Sequence, residues 1–381
     1  MVSNKNLQPS SPAGHTLAAS AAGLPGISLT SADDVRGVGI GFEGLTKTYS
    51  GVSAVDDVSF TVAPGEFVTV LGPSGSGKTT LLMLVAGFTT PSSGRLLLGG
   101  NDISMTPPYR RDIGVVFQSY ALFPHLNVRK NVGFALKARK VPQGEIDKKV
   151  DWALSLVHMS AYGDRRISQL SGGQQQRIAL ARAIAFSPRA LLMDEPLAAL
   201  DRNLRGAMQR EIRALQKSLN QTVIFVTHDQ EEALSMSDRV AVMNHGRLQQ
   251  IATPKDLYLK PANSFVAGFF GEANLFSGDA AGDTLLVGDR RLPLPSPMTG
   301  KAVLCVRPEV LKIERDARMP WAIPATVTDA RFMGSIIRME LDTFCGPLVA
   351  TRQIDSMAAA PQIGSSVHVS WETAMSNVMA S

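Results

Sequence analysis

Four short apolar runs in the first two thirds of the chain each stop on a polar or flexible group. Phe67-Val68-Thr69-Val70-Leu71 ends at Gly72, and Ile113-Gly114-Val115-Val116-Phe117 ends at Gln118. Ala190-Leu191-Leu192-Met193 ends at the adjacent acids Asp194 and Glu195, and Thr222-Val223-Ile224-Phe225-Val226-Thr227 at His228. Apolar residues at successive positions predict strands buried on both faces, as in parallel sheets. Between them lie helical stretches: Leu81–Gly87, residues 127–168, Ile178–Phe186, and an amphipathic helix opening at Asp201 and running through Leu219. An alternating start near Ile40, with Ala54–Val62 as a strand, precedes the first buried run. The first part of the chain is therefore expected to be α/β.

Past Leu275 the period shortens. Alternating runs at Thr284–Val287, Ala302–Val306, Val310–Ile313, Ala325–Val327, Ile336–Leu341 and Val367–Trp371 are separated by Gly, Pro and Asp turns. That spacing predicts a small all-β barrel or sandwich. Residues 1–38 carry Ser, Ala, Gly and Pro without a period, and read as a disordered tail. The expected division is a tail over 1–38, an α/β domain over 39–275 and a β domain over 276–381.

Composition narrows this only slightly. With 381 residues, 44% of them hydrophobic and 19% charged, the chain can form two ordinary cores. A net charge of +5 suits nucleic acid, an anionic membrane surface or an acidic nucleotide without choosing among them. Cys305 and Cys345 have no metal-ligand spacing and fit a reducing cytoplasm. No apolar run approaches the length of about 18 residues that a membrane helix needs, and no signal peptide is visible.

The chemistry begins at Gly72-Pro73-Ser74-Gly75-Ser76-Gly77-Lys78-Thr79-Thr80, between a predicted strand and a predicted helix. Strand, glycine loop and helix give a G-x-x-x-x-G-K-[ST] match its meaning. The loop's N–H groups turn inward on a phosphate chain, and the helix N-terminus adds its positive end. Lys78 is expected at the β- and γ-phosphates and the Thr79 hydroxyl on Mg²⁺. Asp194 is suited to hold the same Mg²⁺, and Glu195 to act as general base on the attacking water. Gln118, at a strand's carboxyl end, can touch Mg²⁺ or that water. His228 shares that edge, which makes it a candidate γ-phosphate contact; the other histidines default to structural roles. Tyr49 is either a packing residue or an aromatic face for the base. Leu170-Ser171-Gly172-Gly173-Gln174 opens a second helix with a capping serine and uncovered N–H groups, an anion site with no lysine of its own. The loop Tyr120–His125 is oddly apolar, either buried locally or a docking patch.

Taken in order, Tyr49, Gly72–Thr79, Gln118, Leu170–Gln174, Asp194-Glu195, Asp201 and His228 resemble the ATP-binding subunit of an ABC transporter, over roughly Ile40 to Leu275. The resemblance implies an ABC-type P-loop NTPase fold, a RecA-like core with antiparallel β and helical subdomains. It also implies a head-to-tail dimer, in which ATP held by one copy is closed over by Ser171, Gly172 and Gly173 of the other, with Gln174 and Asp201 at the same interface. The family usually has Ser where Ala198 stands, which leaves every phosphate and metal group in place. Val115–Val128 and Val226–Ala233 resemble the ATPase subunits of bacterial importers served by a separate solute-binding protein. In these, the loop after Gln118 receives one of two membrane-spanning permease subunits. Val306-Arg307-Pro308-Glu309 and Phe332-Met333-Gly334-Ser335 resemble the OB-type accessory domain of the polyamine, iron and sugar importers. The overall pattern is most similar to the spermidine/putrescine type, on the cytoplasmic face of the membrane. Cargo such as iron, a sugar or a phosphonate stays open, because the solute never touches this subunit. A nucleic-acid ATPase with the same cassette is the rival reading. The stretch from Gly72 to Ser171 has no room for the coiled coil of that class, and no nucleic-acid partner is expected.

Overall fold

A computed structural model describes residues 37–354 and 361–381. The tail expected over 1–38 lies outside the described residues except for its last two. Those two belong to the fold: Gly37 N–H donates to Asn220 O at 3.1 Å and Val38 N–H to Arg189 O at 3.0 Å.

The chain opens with β1 (Ile40–Tyr49) and β2 (Val52–Val62), then β3 (Phe67–Leu71), α1 (Lys78–Ala86), β4 (Ser93–Leu98), β5 (Asn101–Asp102) and β6 (Ile113–Val116). Helices α2 (Val128–Ala138), α3 (Gln143–Leu156) and α4 (Gly172–Ile184) follow. Next come β7 (Ala190–Asp194), α5 (Arg202–Leu219), β8 (Val223–Thr227), α6 (Gln230–Met236), β9 (Arg239–Asn244) and β10 (Arg247–Ala252). Short helices α7 (Pro254–Leu259) and α8 (Ser264–Phe269) lead into the all-β part.

Two sheets build the first part. One is antiparallel, in the order β2-β1-β4-β5; the other runs β10-β9-β3-β8-β7-β6, with β3, β8, β7 and β6 parallel. Every residue of β3, β7 and β8 is buried, which is why these strands read as unbroken apolar runs. Helix α1 packs its leucines between the two sheets, in one core with Phe42, Val70 and Ile224. A second core gathers α2, α3 and α4 around Val132, Leu154 and Ile178, against β6, β7 and α5. The helices over 127–168 thus form a layer of their own beside the sheet.

The β part contains β11 (Asn274–Val287), β12 (Arg290–Val306), β13 (Lys312–Glu314), β14 (Ile323–Phe332), β15 (Ile336–Thr343), β16 (Leu348–Gln353), β17 (Ser366–Ser370) and β18 (Asn377–Ala380). They pair as β11-β12-β18 and β13-β17-β14-β15-β16, all antiparallel, around one core in which Trp371 stacks on Phe276 at 5.4 Å. Where the sequence suggested two short strands near 284 and 302, the chain forms one long hairpin. Gly278, Gly300 and Pro293 pair within it, and Pro295 and Pro297 fall at a register shift between Gly282 and Thr284.

Several side chains join the two parts, among them Arg338 paired with Glu272, Asn377 donating to Pro261 O, and Arg307. Arg307 is 3% exposed and donates to the carbonyls of Tyr258, Ala267, Gly271 and Glu272. Its guanidinium lies 4.1 Å from the Tyr258 ring, whose hydroxyl donates to Glu309 at 2.8 Å.

Candidate nucleotide site

The parallel strands lie in the order β3-β8-β7-β6, so their carboxyl ends bring Gly72, His228, Glu195 and Gln118 to one edge. This is where open α/β sheets carry ligands. After β3 the loop turns through Gly75 and Gly77 at φ of 78° and 98°, and α1 begins at Lys78. A Cβ on Gly77 would lie 2.2 Å from Ala54 O, so both space and backbone conformation require glycine there. Lys78 is buried and donates to Gly72 O and Pro73 O at 2.9 Å each. Burial lowers its pKa, while the charges of Glu195 and Asp194 act the other way. The ammonium is thus held against the loop opposite two acids, where a phosphate chain needs it. Ser74, Gly75 and Thr79 are exposed and Ser76 is buried, its hydroxyl without a hydrogen-bond partner.

At the end of β7, burial and the neighbouring Glu195 charge raise the Asp194 carboxyl, and the Thr79 hydroxyl and the Lys78 charge hold it back. Its Oδ1 is buried without a partner. A carboxylate disfavoured by burial, with a spare oxygen beside a threonine hydroxyl, fits a small hard cation. Glu195 turns out of the strand at φ 43°, a left-handed conformation rare outside glycine and common at functional turns. His228 Nδ1 stands 3.1 Å from its Oε1, and Gln118 Nε2 makes a long 3.5 Å contact to Oε2. Two side chains from other strands therefore aim one carboxylate.

The second anion site is elsewhere. Ser171 caps α4, accepting from Gln174 N–H at 3.4 Å while Gln174 Oε1 accepts from Ser171 N–H at 2.9 Å. Ser171, Gly173 and Gln174 open on a hollow shared with His158, Tyr162 and Arg177, into which none of the Lys78 site projects. Gly173 is tight against α5, since a Cβ there would lie 2.7 Å from Leu204 Cδ2. Asp201 caps α5 through the N–H groups of Asn203 and Leu204. Tyr49 is 49% exposed, with Lys47 over its ring at 5.0 Å, so it does not serve as a packing residue.

The apolar loop after Gln118 is partly explained by burial. Tyr120 is buried, and Leu122 packs on the helical core. The buried Asn131 amide ties the backbone of Phe123, Leu126 and Asn127. Phe123 is half-buried, its ring 4.4 Å from that of the exposed Phe134, beside a groove of about 540 Å³. That groove is lined by residues of α2 and α3, among them Phe134, Lys137, Ile146 and Val150. The sequence did not mark it. Arg205 lies outside the stretches the sequence singled out, whereas Asp229 and Glu232 fall within Val226–Ala233; the three meet behind His228, and the Asp229-x-x-Glu232 spacing at the start of α6 is also a capping signal.

Comparison with known proteins agrees with this geometry. Residues 55–198 match the ABC transporter family model and residues 304–376 the TOBE domain model. The spermidine/putrescine import ATP-binding protein PotA of Rubrobacter xylanophilus is 45% identical over 353 residues, covering 89% of this chain and 93% of that one. The PotA protein of Legionella pneumophila strain Philadelphia 1 is 45% identical over 80% of this chain and 87% of its own. Among solved structures, cbiO1 of Clostridium perfringens, part of an ABC transporter complex, has a TM-score of 0.54 and 33% identity, covering 57% of this chain and 89% of that one. A dimeric ATP-binding cassette in a post-hydrolysis state with ADP and Pi has a TM-score of 0.51 and 29% identity, covering 56% of this chain and 98% of its own.

Proposed function

Since this chain belongs to the ABC transporter family, among its import ATP-binding proteins, we propose that it drives uptake of polyamines by hydrolysing ATP between two copies of itself. ATP binding and hydrolysis follow from that membership. The observation that carries the mechanism is Glu195, aimed by His228 and Gln118 beside the buried Lys78 and Asp194.

In this reading Lys78 and the loop from Gly72 to Thr80 bind the phosphates. Thr79 and Asp194 would hold Mg²⁺, with Gln118 near it, and the ion would neutralise charge on the phosphate oxygens. Glu195 takes the proton of the attacking water, and His228 keeps its carboxylate turned toward that water. Ser171, Gly172, Gly173 and Gln174 of the second copy complete the phosphate site, because α4 presents N–H groups with no lysine beside them. Asp201 lies on the same surface. The ATP-binding domain over 39–275 and the TOBE-type domain over 276–381 are separate units of function. Among the described residues no helix is long and apolar enough to cross a membrane. The chain would sit on the cytoplasmic face against two permease subunits, with a solute-binding protein engaged indirectly.

Cargo is assigned from the names of the relatives, spermidine/putrescine import proteins. Reconstitution with its membrane subunits and binding protein in liposomes decides it. Stimulation of ATP hydrolysis by spermidine or putrescine is the expected result; stimulation only by iron, a sugar or a phosphonate overturns it.

The permease is proposed to dock in the groove beside Phe123. Phe134, 46% exposed at its wall, is a better probe than Leu122, which the core needs. Phe134→Asp is expected to leave hydrolysis by the isolated chain unchanged and to lower coupled uptake on the order of 10–100-fold, as for a central interface anchor. Uptake at the wild-type rate would remove the groove from the interface.

A further inference from the structure

Behind the reaction centre lies a side-chain cluster in which Arg205, outside every motif, meets Asp229 and Glu232 of the Val226–Ala233 stretch. Arg205, in the first turns of α5, reaches in two directions. Its Nη2 donates to Leu200 O at 3.2 Å, at the end of the turn that starts with Glu195. Its Nη1 donates to Asp229 Oδ2 at 3.1 Å, one residue past His228, and its Nε stands 3.8 Å from Glu232 Oε1. That Nε is buried and has no hydrogen-bond partner, so a small movement of either turn changes what it can bond.

The far side is equally fixed. The Thr227 hydroxyl donates to Glu232 Oε2 at 2.6 Å and accepts from Asp229 N–H at 3.0 Å. Asp229 Oδ1 caps α6 through the N–H groups of Glu231 and Glu232. His228 is thus held on both sides by residues that Arg205 and Glu232 anchor, and its ring meets Glu195 at 3.1 Å. On the near side Ala198 N–H closes the other turn onto Glu195 O at 3.2 Å. Between the turns is a cavity of only about 50 Å³, lined by Glu195, Ala198, Thr227 and the cluster itself. There is little space for one turn to move without the other.

We propose that Arg205 is a positioning residue that couples the 195–201 turn to the 227–229 turn, so that His228 is held on Glu195 when the second copy engages Asp201. The inference rests on the ATPase reading of this site. A planar fork is needed, since a lysine cannot bond a carbonyl and a carboxylate in fixed directions at once.

The test is steady-state ATP hydrolysis by the full chain carrying Arg205→Ala, Asp229→Asn, His228→Ala and their pairwise combinations. Asp229→Asn retains a helix-capping oxygen and removes the charge that Arg205 pairs with. Each single change is expected to lower kcat about 10–100-fold, as for a misplaced catalytic group, with KM for ATP nearly unchanged. Arg205→Ala with His228→Ala should be no slower than His228→Ala alone, because both remove one function. Losses that multiply, or a rise in KM with kcat retained, overturn the coupling. If Arg205→Ala does not fold, the Asp229→Asn cycle decides by the same criterion. Absence of hydrolysis in the unaltered chain would overturn the reading of the site itself, and the inference with it.

Discussion

Glu195→Gln is expected to bind ATP like the unaltered chain and to hydrolyse it about 10²–10⁴ times more slowly, some 3–5 kcal/mol of barrier. The substitution keeps the size of the side chain and one oxygen for His228, and removes only the basic carboxylate. Lys78 and the glycine loop between β3 and α1 keep their positions, so binding and chemistry separate. The variant should also accumulate as a dimer on a sizing column with Mg²⁺ and ATP, since the closed state can no longer be discharged by hydrolysis. Single-turnover hydrolysis with a nucleotide-binding assay measures both effects. A variant that turns over at the unaltered rate would take the base role from Glu195.

Arg307→Ala is expected to destabilise the joint between the two parts by about 3–5 kcal/mol, the range for breaking a buried charged network. One guanidinium serves the carbonyl ends of both α7 and α8, where orphan carbonyls and the helix dipole favour a cation. Its removal leaves those carbonyls buried and unpaired and takes away the face on which Tyr258 rests. Burial and the bond to Glu309 push the Tyr258 phenol up to about 12, so it stays protonated, and its one hydrogen is already donated to Glu309. Urea unfolding followed by the signal of the buried Trp371 is the measurement, and Arg307→Lys should fall between the two. An Arg307→Ala midpoint equal to the unaltered one would mean that the other contacts, Arg338 with Glu272 and Asn377 with Pro261 among them, hold the joint without it.

The site was legible because its chemistry sits where apolar runs stop. Gly72, Gln118, Glu195 and His228 each follow a buried strand, and a strand end is visible in one dimension. Arg205 was not legible, because it is one charge among many on an amphipathic helix; Glu232 stood inside Val226–Ala233, but its meeting with Arg205 across the turns was not visible in one dimension. Phe134 was hidden similarly: an apolar position on α2 that fits a core pattern stands exposed at the wall of a groove, beside the buried Ile146 and Val150. In the β part, Pro293 and Gly300 lie between the runs at Thr284–Val287 and Ala302–Val306, which read as separated by turns. Antiparallel pairing along the whole hairpin overrode them, because only edge or bulge positions had to accept these residues. Gly37 and Val38 gave no periodic signal, and are fixed by backbone bonds to partners far along the chain.

The interior place of β3 has a consequence for biosynthesis. Its neighbours are β8 on one side and β9 on the other, both made much later. The phosphate loop therefore leaves the ribosome with no strand to lie against, and waits for β8 roughly 150 residues, on the order of 10–30 s at ordinary elongation rates. Until then β3 is an apolar segment with both edges open, the kind of intermediate that chaperones hold. A nascent chain halted before Thr227 would display the whole lysine loop and still have no nucleotide site.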